Sequence, residues 1–360
     1  MEPKLDFKPF EVAGLEQQRA LFADCFPETI GQPAALEPHY RWKFHAFPAQ
    51  PPSYEYGVHL AGEMIGYYAA IPYAYQVDGE RRVAGMVCDV MTGSRARGKG
   101  VFAKMGAWAT GQMQAAGVDF TTGYPIRPEV LPGHLKVGWK VVQTMPIYLR
   151  VLRTRALLDS KRLGFLAPLG DVAALGFKVL PRLLPGRGEY TVQALTVAEF
   201  LDDAGYPAFL EQWLRSVPNA LVKSREFLQW RLGAPQTEYR VFVARDAAGT
   251  MVGVCIARNT ELSKVPALAL LDVMLLPGHR AAFRALDRQL RRSALESGAE
   301  VIATMMHPDW AREYGLPWLG YLRSPFVFSL IVKKLNDALP DAQLFEPRRW
   351  HTMWIDSDDL

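Results

Sequence analysis

The chain has 360 residues, room for two ordinary cores at about 100–200 residues per domain. With 49% hydrophobic and 22% charged residues its composition is that of a globular protein, which excludes disordered and collagen-like classes. A formal net charge of +4 is too small for the concentrated basic face of a nucleic-acid binder, so no RNA or DNA partner is expected.

The opening, Met1 to Lys8, is charged and lacks the apolar core of a signal peptide. Cys25, Cys88 and Cys255 are far apart and fit neither a disulfide set nor a metal-ligand spacing. A cytoplasmic setting and no metal are expected. Tyr40-Arg41-Trp42-Lys43 precedes a strand pair, Ser53 to His59 and Glu63 to Ala70. Along it Tyr54, Tyr56, Tyr67, Tyr68, Tyr73 and Tyr75 alternate, the pattern of sheet faces and core edges, some of which could wall an acceptor cleft.

Between a strand-like stretch, Arg82 to Thr92, and an amphipathic helix, Lys99 to Ala116, runs Arg95-Ala96-Arg97-Gly98-Lys99-Gly100. The glycines let the backbone approach an anion, the helix N-terminal N–H groups point at it, and Arg95, Arg97 and Lys99 add positive charge. This is the chemistry of a pyrophosphate cradle. The run lacks the Gly-Lys-Ser/Thr ending of a triphosphate loop and is one glycine short of a dinucleotide-binding G-x-G-x-x-G, so both of those readings fall.

The loop resembles motif A of the GNAT acyltransferases, Q/R-x-x-G-x-G/A, here Arg95, Gly98 and Gly100. Val118-Asp119-Phe120-Thr121-Thr122 looks like the family's next strand, and His134-Leu135-Lys136-Val137-Gly138-Trp139 is similar to its closing Y-x-x-x-G-F element. The resemblance implies that Arg95, Arg97, Gly98, Lys99, Gly100 and Val101 hold the pyrophosphate of acetyl-CoA or a longer acyl-CoA. It also implies that the amides of Met91 and Thr92, on a strand splayed from its neighbour, take the pantetheine arm and the thioester carbonyl.

Residues Arg162 to Leu184 are apolar but broken by Pro168, Asp171, Lys178, Pro181 and Arg182, which excludes a spanning helix of about 20 apolar residues. An interfacial helix or, on the base rate of apolar helix faces, a connector between two domains is left. Beyond it comes a faint second copy of the first half. Leu228-Gln229-Trp230-Arg231 precedes the strands Tyr239 to Arg245 and Met251 to Arg258. Leu271-Asp272-Val273-Met274 matches Cys88-Asp89-Val90-Met91, Gly298-Ala299-Glu300-Val301 matches Gly117-Val118-Asp119-Phe120, and Gly320-Tyr321 matches Gly138-Trp139. In its loop, Pro277 to Phe283, Ala281 and Phe283 replace the cradle glycines, so this copy is not expected to bind CoA in the usual way.

Acyl transfer needs a proton acceptor for the attacking amine and a donor for the departing thiolate. Asp89 lies where many family members place an acidic base. Its counterpart Asp272 persists in the copy that has lost its loop, which favours a structural role, and both readings stand. His134 occupies the place of the family's proton-donating tyrosine, where an imidazolium could do the same work near neutrality. Tyr124 is the other candidate. Arg127 and Glu129 could meet an acceptor or simply be solvated, and Ile126 departs from an asparagine common near the pantetheine arm. His307-Pro308-Asp309-Trp310 is the one other polar group placed after the matching strand of the second half.

The expected architecture is α/β, two tandem GNAT-like domains at 1–150 and 191–360 joined by a 151–190 connector, each a mixed twisted sheet flanked by helices, the second degenerate. The expected activity is transfer of an acetyl or longer acyl group to a primary amine of a small molecule, such as an amino sugar, by direct attack in a ternary complex. A cleft between the domains would receive the acceptor. Trp42-Lys43-Phe44 and Trp354-Ile355-Asp356-Ser357-Asp358 are similar to the opening and ending of some exopolysaccharide-associated GNAT proteins. A non-catalytic acyl-CoA sensor and an aminoacyl-tRNA-dependent transferase of related fold are the alternatives.

Overall fold

The structure is a computed structural model whose described residues are 4–125, 127–153 and 190–358. The apolar stretch Arg162 to Leu184, nearly all of the expected connector, and Ile126 lie outside them. In the first half the strands are β1 (Asp6–Pro9), β2 (Tyr54–Leu60), β3 (Glu63–Val77), β4 (Glu80–Thr92), β5 (Phe120–Gly123) and β6 (Lys140–Val151). The helices there are α1 (Leu15–Cys25), α2 (Glu37–His45), α3 (Val101–Ala115) and α4 (Leu131–Lys136). The second half supplies β7 (Thr191–Leu195), β8 (Asn219–Leu221), β9 (Tyr239–Arg245), β10 (Met251–Leu262), β11 (Val265–Leu275), β12 (Val301–Met305), β13 (Leu322–Lys334) and β14 (Trp350–His351).

Among the described residues these strands form one continuous sheet in the order β1-β2-β3-β4-β5-β13-β6-β12-β11-β10-β9-β7, with β8 and β14 attached off this path. The order is mirrored about the central pair. Strand β6 leaves the first half to pair with β12, while β13 returns from the second half to lie between β5 and β6. Each half is therefore closed by a strand from the other, and neither has an edge at the middle of the sheet.

The sequence explains the layers. Strand β3 is buried along nearly its whole length, because its alternate residues meet two cores. Tyr67, Ala69, Ile71, Tyr73 and Tyr75 face a core that runs into the second half, whereas Tyr68 and Ala70 face Met105, Ala109 and Met113 on α3. Those three α3 positions recur at four-residue spacing, the stripe an amphipathic helix presents to a sheet. At roughly 1.5–3 kcal/mol for each large apolar side chain buried, this face holds α3 and its N-terminus fixed against the end of β4.

Candidate acyl-CoA site and acceptor groove

Strands β4 and β5 run parallel only from Ala84 and Phe120 to Val87 and Gly123. Beyond that β5 stops and β4 continues to Thr92, so the two strands part where chemistry is expected. Just past the fork β4 carries a bulge: Tyr67 faces Met91 and Ala69 faces Cys88, leaving Asp89 and Val90 together opposite Tyr68. Asp89 takes φ +47 there, a left-handed conformation that aspartate tolerates better than most residues. The bulge turns its carboxyl out of the sheet's alternation.

After Thr92 the chain turns through Ser94–Ala96 into Gly98 (φ +75) and Gly100 (φ +71), and α3 starts at Val101. A β-carbon built on either glycine meets no protein atom within 4 Å. Both therefore border open space, in a conformation that other residues resist. A cavity of about 440 Å³ opens beside them, lined by Thr92, Arg97, Gly98, Gly100 and Val101, with Phe102, Arg127 and Glu129. The unpaired first-turn N–H groups of the 15-residue α3 make this end receptive to an anion. Arg97 bridges to the Thr92 carbonyl at 3.4 Å, and Arg95 is exposed beside Glu63. Lys99 is exposed, and the Met91 side chain is buried in the core, so any contact from Met91 would come from its backbone.

A second cavity, about 340 Å³, occupies the fork and shares Phe26, Val90, Phe102, Arg127 and Val130 with the first. It brings together Asp89, Tyr124 and His134, which are distant in sequence. Tyr124 follows β5 and lies 3.4 Å, hydroxyl to hydroxyl, from Tyr75; burial and that neighbour push its pKa well up. His134 is wedged edge-on between Phe102 and Trp139, at ring-centre distances of 5.0 and 5.1 Å. Burial lowers its pKa to about 4. Its apolar walls favour the uncharged ring near pH 7.

Three polar residues of this cavity were not singled out by sequence reasoning. Lys43, on α2, reaches Asp89 at 3.0 Å and Asp358 at 2.7 Å. Burial alone would depress its pKa, but Asp358 and then Asp89 outweigh that and hold it well above the ordinary lysine value. One ammonium thus joins two carboxylates beside the fork. His39, one helical turn before Lys43, also lines the cavity. Lys43 and Asp358 had been noted only as parts of the opening and closing motifs; their 315-residue separation hides the contact. Arg127 donates to the Cys25 carbonyl at 3.1 Å and pairs with Glu28, while Glu129 is exposed at the rim of the first cavity.

A groove of about 750 Å³ continues from the fork toward the second half and shares Ala34, His39, Lys43 and Asp358 with the central cavity. Trp42, Tyr73 and Trp230 supply aromatic walls, and Gln32, Gln236, Glu238 and Asn259 supply polar ones. The three spaces thus join from α3's N-terminus, through the fork, to the boundary between the halves.

The matching region of the second half is filled. Phe283 is buried against Tyr314 at 5.8 Å between ring centres, and Asp272 is shut in the core against Lys223 at 2.7 Å. His307 caps a short helix by accepting from the Asp309 N–H at 3.3 Å.

Residues 6–142 match the sequence profile of the family described as Acetyltransferase (GNAT) domain. This stretch, less than half of the chain, carries the likeness to a GNAT acyltransferase domain. No curated protein matches the chain. Solved structures of the same fold include a probable N-acyltransferase from Enterococcus faecalis, at TM-score 0.65 and 11% identity over 92% of this chain and 73% of that one. A GCN5-related N-acetyltransferase from Anabaena variabilis is similar at TM-score 0.64 and 11% identity, with the same coverage. Saccharomyces cerevisiae N-myristoyltransferase with bound myristoyl-CoA is similar at TM-score 0.60 and 12% identity over 97% of this chain and 90% of that one. Among the described residues no helix is long and apolar enough to cross a membrane.

Proposed function

We propose that this protein transfers an acetyl or longer acyl group from acyl-CoA to a primary amine of a small molecule, an amino sugar being the acceptor that suits the groove. The observation that carries the reading is the junction of the glycine-bordered cavity at α3 with the cavity that gathers Asp89, Tyr124 and His134. Gly98, Gly100 and the first turn of α3 would hold the pyrophosphate, and backbone amides at Met91 and Thr92 would take the thioester end. The second half is a degenerate GNAT-like domain in this reading. It supplies β13 and one wall of the acceptor groove rather than a second donor site.

The amine nitrogen attacks the thioester carbon, the C–N bond forms, the C–S bond breaks, and the nitrogen passes its proton to Asp89 directly or through water. The thiolate takes a proton from Tyr124, which keeps its own until then, or from solvent; His134, neutral, can offer it an N–H hydrogen bond. Direct attack is favoured over a cysteine intermediate because burial, with Asp358 and Asp89 nearby, raises the Cys88 pKa well above normal despite Lys43. Such a thiol is a poor nucleophile.

Calorimetric titration with acetyl-CoA, CoA and a medium-chain acyl-CoA, followed by thiol release across an amine panel, tests this. One site per chain and amine-dependent release are expected. Absence of any CoA binding would overturn the donor assignment.

A further inference from the structure

We infer that the acceptor reaches the thioester through the groove between the halves and that His39 is its hydrogen-bonding contact where the groove narrows into the fork. This rests on the acyl-transfer reading and adds the acceptor's route and its recognition residue.

Four residues line both spaces. Ala34 has no polar side chain, and Lys43 and Asp358 pair with each other at 2.7 Å. His39 is the uncharged polar member of the four, and its Nδ1 is buried and meets no hydrogen-bond partner among the described residues. A buried polar atom left unmade is costly, of order 1–3 kcal/mol, unless a ligand or ordered water completes it. The ring is held in place by Trp42, at 5.0 Å between centres. Burial and then Lys43 lower its pKa to about 4, so the imidazole is neutral and can exchange a hydrogen bond with a hydroxyl or an amine without repelling a cation. Trp42 beside it provides an aromatic face, and Gln32, Gln236 and Asn259 provide amide groups farther along. Aromatic faces that pack against C–H surfaces, together with amides that bond hydroxyls, suit a polyhydroxylated amine better than an acyl chain or a bare alkylamine.

Glucosamine is the probe, with acetyl-CoA as donor, in the full chain and in His39→Asn and His39→Ala. An asparagine amide reaches about where Nδ1 lies, whereas alanine removes it. Acetyl-CoA affinity by calorimetry should be the same in all three. His39→Ala should raise the glucosamine KM at least tenfold with a smaller change in kcat, and His39→Asn should recover most of the loss. Equal kinetics of His39→Ala and the native chain, or His39→Asn as impaired as His39→Ala, would overturn the assignment. So would a native chain that binds acetyl-CoA yet releases no thiol with glucosamine. Failure to bind acetyl-CoA at all would instead remove the acyl-transfer reading beneath it.

Discussion

Trp42 and Trp230 stack nearly parallel, with ring centres 5.0 Å apart and planes 11° apart, and each indole N–H donates to the other's backbone carbonyl, at 2.8 and 2.9 Å. They hold corresponding places in the two halves, before β2 and before β9. The pair therefore sits where the halves are related, and on the wall of the groove between them. Reciprocal bonds of this kind fix both the distance and the rotation of the two helices that carry the tryptophans.

Trp42→Ala removes a large aromatic contact and one of the two bonds while leaving the Trp230 N–H free to seek the same carbonyl. Trp42 is only half-buried, so we expect a loss of about 2–3 kcal/mol, below the usual range for a large aromatic side chain truncated in a core, read by urea unfolding. Acetyl-CoA affinity should change little, because the cradle lies at the far end of the connected cavities. A large loss of affinity with an intact fold would mean that the groove wall and the donor site are coupled.

Gly98→Val tests the cradle. Its φ of +75 is costly for a branched residue, about 1–2 kcal/mol, yet the protein leaves room for the side chain. The expected outcome is a folded protein with a modestly lower Tm and at least a hundredfold weaker acetyl-CoA binding, since the methyls enter the space assigned to phosphate. Retained affinity would refute the cradle.

The sequence made the first half legible because its signals are local. The glycine loop, the strand before it and the helix after it follow one another in the chain, and β4 and α3 begin and end within two residues of their expected positions. What it could not reveal depends on distant pairing. The exchange of β6 and β13 is invisible because a strand carries no mark of its partner. The Lys43 contacts to Asp89 and Asp358 join residues on α2, β4 and the C-terminal turn. The lowered pKa of His134 arises from Phe102 and Trp139 closing over the ring, which spacing alone cannot foresee.

Asp272→Ala and Asp89→Ala separate the structural from the chemical role of this repeated aspartate. Asp272 lies in the core against Lys223, with Asp356 3.6 Å from the same ammonium. Removing it leaves a buried lysine short of a partner, and we expect a loss of roughly 3–5 kcal/mol with no change in acetyl-CoA affinity. Asp89 is partly open to the cavity, and Asp358 remains to pair Lys43 when it goes. Its replacement should cost less stability and lower kcat by at least tenfold. The reverse pattern would make Asp89 the structural member of the two.

Asp356 gives the pH dependence. Burial, with Asp272 adding to it, raises its pKa to about 6 against the partial relief from Lys223. The folded state then holds this proton more tightly than the unfolded chain, whose aspartates titrate near 3.9. Its contribution to stability is therefore full below about pH 4 and is lost as pH rises through 6. Asp356→Asn keeps the shape, cannot ionise and should remove that part of the profile, so the difference in unfolding free energy between variant and native protein should move in the variant's favour from pH 4 to pH 7. Equal differences at the two pH values would mean that Asp356 is already ionised at pH 4, with Lys223 rather than burial setting its charge.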